Sequence, residues 1–354
     1  MNYYQTSIKK LNSLRKQDDY LILSIESSCD ETAVAITRGR TVLVDVIESQ
    51  IDIHKKYGGV VPEIASRNHS IKIDSALTKA LKSANLKLSD ISVIAATCGP
   101  GLLGALLVGL CHAKALAYAL KLPFVGINHI KGHIAANYIA NPSLQPPFLC
   151  LLVSGGHTEI LKVTSFSDII CLGATRDDAA GEAFDKVARL LNLSYPGGPA
   201  IEKLASSYDN KSPIYMLPHP FKNEKHLDFS FSGIKTAVFN LLTIAKNRGE
   251  TVNYSSLANS FENTICEILT KNAIAASQLT GIKKIALAGG VCANSKLRLY
   301  MSKSCINSNI ELFLPPKSLC TDNASMIGVA AFEEIKSGTK PSDLELDADP
   351  SLEI

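Results

Sequence analysis

Two histidines spaced four residues apart are the first candidates for chemistry in this sequence. His129 and His133 lie in the segment 128–137, which follows a strand-like run at 123–127. If the segment is helical, both imidazoles lie on one face, within reach of a single metal ion. Such a site needs at least one more ligand, and an open coordination position if the metal is to contact a substrate. A polar stripe on a surface helix is the alternative interpretation.

The third ligand that the sequence offers is Asp322, at the start of a predicted helix. An aspartate at that position is most often an N-cap. As a ligand it would complete a His-His-Asp set, which a phosphate or carbonyl oxygen of a nucleotide could then join.

The histidine spacing also invites comparison with metalloproteases. That chemistry requires the pattern His-Glu-x-x-His, with the glutamate as the base. The residues between the two histidines here are Ile130, Lys131 and Gly132, so the base is absent. The sequence therefore argues against a peptidase.

Two turns of small polar residues each join a pair of predicted strands. The first is Ser27-Ser28-Cys29-Asp30, and the second is Ser154-Gly155-Gly156-His157-Thr158. Glycine lets backbone N–H groups approach phosphate oxygens, and a hydroxyl or acidic side chain can hold a metal or water. Either turn alone is typical of a hairpin. As a pair that faces across a cleft, they favour nucleotide binding.

Two further segments suit a nucleotide. Gly289-Gly290 ends a predicted strand and precedes a helix, where a flat base or sugar could lie against the backbone. Close strand-to-helix packing is the alternative for this pair. Asp185, on another predicted helix, could hold ribose hydroxyls or pair with Lys186 or Arg189.

The elements that must position these residues repeat in two halves. Each half reads strand, turn, strand, strand, and then alternates helix with strand, which predicts a duplicated α/β unit with mixed sheets. The predicted strands are 20–27, 32–36, 41–48, 91–97 and 123–127, then 148–154, 158–163, 169–172, 284–288 and 310–314. The predicted helices run to about residue 84 and over 101–120 and 128–137, then over 178–191 and 257–279, from about 294, and over 322–337.

This repeat predicts a division of the chain into domains. Residues 20–145 form the N-terminal domain and residues 146–337 the C-terminal domain, with an insertion at 195–254 that carries loops and short helices. Residues 338–354 form a C-terminal tail. Residues 1–19 are a polar, basic leader without a secretory core, which fits a short disordered segment or an organellar presequence.

Composition sets broad limits. At 354 residues the chain exceeds one comfortable core, and its net charge of +3 is too small to indicate nucleic acid by itself. The nine cysteines form no Cys-x-x-Cys pair, which favours reduced thiols in a cytosol-like compartment. The most apolar window, 101–120, contains His112 and Lys114, so a buried helix is preferred over a membrane span.

The motifs together resemble one family, the bacterial-type TsaD family of tRNA N6-adenosine threonylcarbamoyltransferases, once called glycoproteases. The resemblance extends from about Leu21 to Ala331, with the motifs in the expected order. They are Ser27 to Thr32, Gly58 to Glu63, Gly99 to Leu102, Asn128 to His133, Leu152 to Thr158, Asp177 to Lys186, Tyr195 to Pro199, Phe229 to Thr236 and Gly289 to Asn294.

The resemblance implies an actin-like, sugar-kinase-like fold of two ribonuclease H-like domains with a cleft between them. It also implies the roles of particular residues. His129, His133 and Asp322 are expected to bind one divalent metal, Fe²⁺ or alternatively Zn²⁺. The expected adenylate-binding residues are Leu152, Val153, Ser154, Gly155, Gly156, Asp185, Gly198, Glu202 and Asn294. Glu202 stands where many members have aspartate, and its longer side chain keeps the charge without fixing which sugar contact it makes.

The implied reaction is an acyl transfer to tRNA. Threonylcarbamoyl-AMP donates its threonylcarbamoyl group to N6 of the adenosine at position 37, in tRNAs that read codons beginning with A. Such a donor needs its carbonyl polarised rather than a protein nucleophile, so a metal-assisted direct attack by the adenosine amine is expected. The base is not identified, and Asp30 and Glu31 are weak candidates for it, with a plain structural turn as the alternative.

The resemblance also implies partners and a compartment. Besides tRNA, they are a catalytically silent paralogue and a small P-loop ATPase, with a homodimer as another arrangement. The helix 101–120 and the loop 58–62 are candidates for that interface. The cytoplasm is expected, or an organellar matrix if residues 1–19 are a presequence.

Two other functions fit the same fold. One is an ATP-dependent small-molecule kinase, which would need an acceptor pocket and a catalytic aspartate but no histidine pair. The other is a non-catalytic nucleotide-binding scaffold, which would be expected to lose the metal ligands. This chain keeps them all.

Overall fold

The computed structural model describes residues 2–211, 214–222 and 224–354. Met1 of the predicted leader, and Ser212, Pro213 and Asn223 of the predicted insertion, lie outside these described residues. The strands are β1 (Leu21–Glu26), β2 (Glu31–Arg38), β3 (Thr41–Ser49), β4 (Val93–Gly99), β5 (Phe124–Asn128), β6 (Phe148–Val153), β7 (Thr158–Ser165), β8 (Asp168–Ala174), β9 (Lys284–Ala288) and β10 (Glu311–Phe313). The helices are α1 (Tyr3–Leu14), α2 (Ile51–His54), α3 (Pro62–Ala84), α4 (Leu103–Leu120), α5 (His129–Ala140), α6 (Ala180–Leu190), α7 (Gly197–Ser206), α8 (Ser232–Arg248), α9 (Tyr254–Thr280), α10 (Ser295–Asn307) and α11 (Ala324–Lys336).

The strands form two sheets that have the same plan. The first has the order β3-β2-β1-β4-β5 and the second the order β10-β9-β6-β7-β8. In the first sheet β1 pairs antiparallel with β2 and parallel with β4, and in the second β6 pairs antiparallel with β7 and parallel with β9. The predicted fold, a duplicated α/β unit with mixed sheets, is confirmed.

Helices cover both faces of the first sheet, as its fully buried central strands require. Alternate residues of β2 face different cores, because successive side chains of a strand point in opposite directions. Val34 and Ile36 belong to the core that includes residues of α3 and α4. Ala33 and Ala35 contact Ala324, at the start of α11.

The second sheet has its own core. Leu149 and Leu151 of β6 pack with residues of α6 and α9. Phe184 of α6 and Phe261 of α9 meet edge to face, with their ring centroids 5.1 Å apart. This is a favourable geometry for two aromatic rings.

The structure divides the chain differently from the sequence-based domain boundaries. One compact unit comprises residues 1–144, 166–168 and 321–354, and the other comprises residues 145–165 and 169–320. The closing helix α11 was assigned to the second domain, yet it lies in the first unit, where it packs against α5, β1 and β2. Chain order cannot reveal this return, because α11 follows β10 directly in the sequence.

Residues 3–14 of the predicted leader form helix α1, which belongs to the first unit. Helix α1 is capped by Asn2, and its Leu11 is completely buried. The Tyr3 hydroxyl donates to the Leu122 carbonyl at 2.7 Å, and Arg15 Nε donates to the Ile335 carbonyl at 2.9 Å. The polar composition concealed this helix, since only one narrow stripe of it is apolar.

The C-terminal tail is also ordered, and it lies along the ends of β4 and β5. The Ser342 amide donates to the Phe124 carbonyl at 2.8 Å, and the Asp349 amide donates to the Cys98 carbonyl at 2.9 Å. Leu346 packs into the core of the first unit, directly over Gly126. A side chain at Gly126 would lie 2.3 Å from Leu346 Cδ2, so the glycine makes room for the tail.

Shortening Leu346 tests whether the tail stabilises the first unit. We expect Leu346→Ala to lower the free energy of unfolding by about 1–2 kcal/mol, less than for a fully buried leucine because Leu346 is half-buried. Urea denaturation measures the change. The exposed neighbour Glu345→Ala is the control and should change stability by less than about 0.5 kcal/mol. Equal stability of both variants and the unaltered chain would contradict a stabilising tail.

Helix α4 is, among the described residues, long and apolar enough to cross a membrane by length and composition alone. It packs against α3 and β4, with a buried face that includes Leu106, Leu110 and Ala113. One face of α4 therefore lies in the core of the first unit, although only 33% of the helix is buried.

The predicted insertion folds as part of the second unit. Phe229 forms a bridge with Thr175, and the Phe229 and Phe231 rings are completely buried. The Asp177 carboxylate accepts hydrogen bonds from the backbone amides of Phe231, at 2.7 Å, and Ser232, at 3.2 Å. Helix α8 begins at these hydrogen bonds and is 17 residues long, so the insertion carries a long helix as well as a short one.

Candidate metal centre and nucleotide-binding loops

The histidine pair lies at the start of helix α5. The Asn128 side chain caps the helix by accepting hydrogen bonds from the amides of Ile130, at 2.8 Å, and Lys131, at 3.4 Å. This cap makes His129 the first helical residue, and His133 follows one turn later. Their rings meet edge to face with centroids 4.7 Å apart, and both residues are buried. A solvated polar stripe is therefore excluded.

Asp322 lies opposite both rings. Its Oδ1 is 3.5 Å from His129 Nε2 and 3.3 Å from His133 Nε2. It is not the N-cap of α11, because Asn323 occupies that position and accepts from the Met326 amide at 2.9 Å. The common structural explanation for an aspartate at this place does not apply.

The three side chains fit a metal ion. One ligand atom from each of His129, His133 and Asp322 lies within 4.8 Å of the other two. His133 is buried, and neither of its nitrogens makes a hydrogen bond of good geometry among the described residues, although Nε2 lies 3.3 Å from Asp322 Oδ1. Buried polar groups without a partner are rare, and two imidazoles with a carboxylate suit zinc or divalent iron. That these residues bind a metal remains a prediction.

A fourth group, Glu26, is one that the sequence analysis missed. It ends strand β1, it is completely buried, and its Oε2 lies 3.2 Å from His129 Nδ1. Its Oε1 accepts a 2.6 Å hydrogen bond from the Ser28 amide. Nothing in the sequence marks this residue except a charge at the end of a largely apolar strand.

The charges in this cluster favour a cation. Burial would lower the pKa of His129, but the neighbouring carboxylates of Glu26 and Asp322 raise it to about 9. Burial likewise raises the pKa of Glu26, yet His129 outweighs it and the net direction is downward. Two carboxylates around one imidazole thus create a place for positive charge, whether a proton or a metal ion.

The two base candidates are adjacent: Asp30 ends the turn between β1 and β2, and Glu31 is the first residue of β2. Asp30 is buried, and its Oδ2 has no hydrogen-bond partner among the described residues. Burial, followed by the charges of Asp30 and Asp322, raises the pKa of Glu31 to about 9. Burial and these like charges therefore make Glu31 hold a proton more tightly than an ordinary glutamate.

In the second unit, the predicted nucleotide-binding turn follows β6. The Ser154 amide donates to the His157 carbonyl at 2.8 Å, and the His157 amide donates to Ser154 Oγ at 3.0 Å. Gly155 and Gly156 at the tip are exposed. The turn thus ends in two glycines that solvent can reach.

Three hydrogen bonds link this turn and the helices that carry the other predicted positions to one another. The start of α6 contacts the turn, because the Gly181 amide donates to the Ser154 carbonyl at 3.2 Å. Asp185 Oδ1 accepts from the Gly197 amide at 2.6 Å, which brings in the start of α7. Glu202 Oε1 accepts from the Ser295 amide at 3.0 Å, which brings in the start of α10.

Gly289 brings the end of β9 into the same set of contacts. Its φ of +90° favours glycine, and an added Cβ would lie 2.4 Å from the Val153 carbonyl oxygen. The end of β9 therefore lies directly against the end of β6. The elements that carry the predicted nucleotide residues of this unit are in contact, and of the two glycines Gly289 is the one that permits close packing.

Asn294 stabilises the start of helix α10. Its Oδ1 caps α10 by accepting from the Leu297 amide at 2.8 Å, and its Nδ2 donates to the buried Glu262 at 2.7 Å. Lys296 lies 3.0 Å from the other oxygen of Glu262. Glu262 lies within α9, outside any recognisable motif, and could not be singled out from the sequence.

Lys186, considered as a partner of Asp185, pairs with Asp178 at 2.8 Å and Glu182 at 2.9 Å.

The glycines in these turns and helix starts are of two kinds. An added Cβ at Gly155, Gly156, Gly198 or Gly290 would meet no atom within 4 Å. At Gly181, Gly197 and Gly289 it would meet backbone atoms closer than 3 Å. The second kind permits close packing of the elements, whereas the first kind lies beside open space in which a ligand could approach the backbone.

Comparison with known proteins points in one direction. The family model described as "tRNA N6-adenosine threonylcarbamoyltransferase" matches residues 41–329. A relative of that name from Clostridium novyi (strain NT) is 51% identical over 338 residues, covering 95% of this chain and 98% of the relative. Another of that name from Clostridium beijerinckii is also 51% identical, covering 95% of this chain and 99% of the relative.

Solved structures show a similar fold at low sequence identity. Full-length HypF in its phosphate- and nucleotide-bound form has a TM-score of 0.62 at 16% identity, covering 92% of this chain and 57% of that one. Component A of the (R)-2-hydroxyglutaryl-CoA dehydratase of Acidaminococcus fermentans has a TM-score of 0.53 at 13% identity, covering 89% of this chain and 99% of that one. At these identities the likeness concerns the fold alone.

Proposed function

The chain belongs to the tRNA N6-adenosine threonylcarbamoyltransferase family, and from this membership we infer that it transfers a threonylcarbamoyl group to N6 of an adenosine in tRNA. The observation that supports this most directly is the identity of 51% with relatives of that name over 95% of the chain. The acceptor is adenosine 37, next to the anticodon in tRNAs that read codons beginning with A. The donor is threonylcarbamoyl-AMP.

In the proposed reaction the adenosine amine attacks the carbamoyl carbon directly. A bond forms between N6 and that carbon, the bond from the carbon to the phosphate oxygen breaks, and AMP leaves with the electron pair. The amine loses one proton. No protein nucleophile is required, because the adenylate is already a good leaving group.

His129, His133 and Asp322 would hold one divalent metal, for which we propose Fe²⁺, with Zn²⁺ as the alternative. When bound, the metal would supply Lewis-acid polarisation of a donor oxygen and neutralise negative charge. Three protein ligands leave open positions for such an oxygen. Buried surroundings strengthen this electrostatic effect.

The second unit would bind the adenylate part of the donor. The exposed backbone of Gly155 and Gly156 is suited to phosphate oxygens, and the open space beside Gly198 and Gly290 to the sugar or base. Asp185 and Glu202 are the carboxylates available for ribose hydroxyls. Each already accepts one backbone hydrogen bond, which fixes its orientation.

For the proton lost by the amine we propose Asp30 as the acceptor. Its carboxylate is buried and one oxygen has no hydrogen-bond partner among the described residues, whereas burial and neighbouring carboxylates raise the pKa of Glu31. A base must be ionised at the working pH.

We further propose that the chain acts in the cytoplasm with a catalytically silent paralogue and a small P-loop ATPase. Helix α4, which presents exposed Leu103 and Tyr118, and the loop 58–62 are the surfaces proposed for the related subunit. Exposed apolar side chains of this size are common at interfaces between subunits. A homodimer through the same surface is the competing arrangement.

The test is a reconstituted transfer reaction. Purified chain receives threonylcarbamoyl-AMP and unmodified tRNA, with and without the partner proteins and added Fe²⁺ or Zn²⁺. We expect threonylcarbamoyladenosine in the digested tRNA, detected by mass spectrometry, only when this chain is present. No product under any of these conditions would refute the proposed function.

A further inference from the structure

We propose that Glu26 is a positioning residue that holds His129 with its Nδ1 protonated, so that Nε2 is the atom available to a metal. The inference rests on the metal site of the proposed function and adds a residue to it. Metal-binding histidines commonly donate their other ring N–H to a carboxylate, which fixes the tautomer and the ring orientation. Glu26 supplies such a carboxylate in this chain.

The geometry assigns the two ring nitrogens of His129 to different partners. Nδ1 faces Glu26 Oε2 at 3.2 Å, and Nε2 faces Asp322 Oδ1 at 3.5 Å. Ser28 Oγ also lies 3.2 Å from Nδ1, but a hydroxyl can either donate or accept. An ionised carboxylate can only accept, so Glu26 requires the proton to be on Nδ1.

Glu26 itself is held rigidly. Its Oε1 accepts from the Ser28 amide, and its Oε2 accepts from the Thr97 hydroxyl on the neighbouring strand β4. The side chain has no exposed surface. A carboxylate fixed by two donors and completely buried has few orientations open to it, so it can determine that of the imidazole.

Replacing the carboxylate by an amide would reverse this pattern. In Glu26→Gln the oxygen is expected to stay beside the Ser28 amide, because an NH₂ group there would face another donor. The NH₂ group is then directed at Thr97 and at His129 Nδ1. Nδ1 must accept from it, which moves the ring proton to Nε2 and blocks the metal-binding atom.

The first experiment measures metal affinity, independently of transfer. Zn²⁺ binding to the full chain and its variants is measured by competition with a chromogenic chelator. We expect Glu26→Gln to weaken Zn²⁺ binding by about 10–100-fold. Thr97→Val, which removes a donor to the same carboxylate but leaves the carboxylate in place, should have a much smaller effect. Equal losses in both variants would indicate a general packing defect and overturn the proposal.

The second experiment needs no variant and so does not depend on the folding of Glu26→Gln. Long-range ¹H–¹⁵N spectra of the unaltered, Zn²⁺-loaded chain report which ring nitrogen of His129 carries the proton. A protonated Nδ1 and a metal-bound Nε2 are expected. The opposite assignment would overturn the proposal.

The outcomes separate this inference from the proposed function. If the unaltered chain binds Zn²⁺ and Glu26→Gln binds it equally well, the positioning role fails while the metal site stands. If the unaltered chain binds no metal, the metal site and the inference fail together. Loss of transfer with normal Zn²⁺ binding in Glu26→Gln would also refute the role in metal binding.

Discussion

Asp322→Ala should leave a folded protein that binds almost no metal and transfers at least about 100-fold more slowly than the unaltered chain. Asp322 supplies the only carboxylate of the three-residue ligand set found among the described residues. Two neutral imidazoles alone bind a divalent metal far less tightly and leave its charge uncompensated. Elemental analysis after dialysis gives the metal content, and mass spectrometry of the digested tRNA gives the rate.

Asp45→Asn is the matched control for this prediction. Asp45 is another carboxylate near the start of α11, where its Oδ2 accepts from the Ser325 amide at 3.0 Å, and burial raises its pKa. An asparagine oxygen can accept the same hydrogen bond, so this variant should keep its metal and its activity. Urea denaturation of the metal-free proteins verifies that both variants fold. Undiminished transfer by a folded, metal-depleted Asp322→Ala protein would contradict the metal-assisted mechanism.

The three residues of the proposed metal site could be singled out from the sequence because their signals are local or implied by the family resemblance. His129 and His133 lie one helical turn apart, a spacing that can be read directly from the sequence. Glu26 gave no such signal, because its partner His129 is 103 residues away in the sequence. The two meet only because β1 and β5 flank β4 in the sheet and because α5 begins where β5 ends.

The fold was predictable where periodicity and turn residues agree, as in β1, β6 and β9. The domain boundaries were not, because they depend on long-range packing. Helix α11 continues the second half of the sequence but buries its apolar face in the first unit. The tail contacts β4 and β5 through backbone hydrogen bonds and through single apolar side chains such as Leu346, and neither forms a periodic pattern in the sequence.

The last prediction compares two adjacent glycines of α7. A substitution at the first tests the packing of the helix, and a substitution at the second tests ligand binding. A Cβ at Gly197 would lie 2.6 Å from the Asp185 Cα and 2.7 Å from the Phe184 carbonyl oxygen. Backbone atoms cannot move aside as a flexible side chain would. We therefore expect Gly197→Ala to lower the free energy of unfolding by about 2–3 kcal/mol.

Gly198→Ala should leave the stability almost unchanged and instead weaken nucleotide binding. No atom lies within 4 Å of the added methyl group, and alanine in a helix is, if anything, slightly stabilising, by at most about 1 kcal/mol. If the open space beside Gly198 receives the adenylate, the methyl group should weaken AMP binding by about 10-fold, equivalent to about 1.4 kcal/mol. Urea denaturation and calorimetric titration with AMP measure the two effects on the same samples. Unchanged AMP affinity in Gly198→Ala would place the nucleotide elsewhere, and a fully stable Gly197→Ala would show that α6 and α7 can separate without cost.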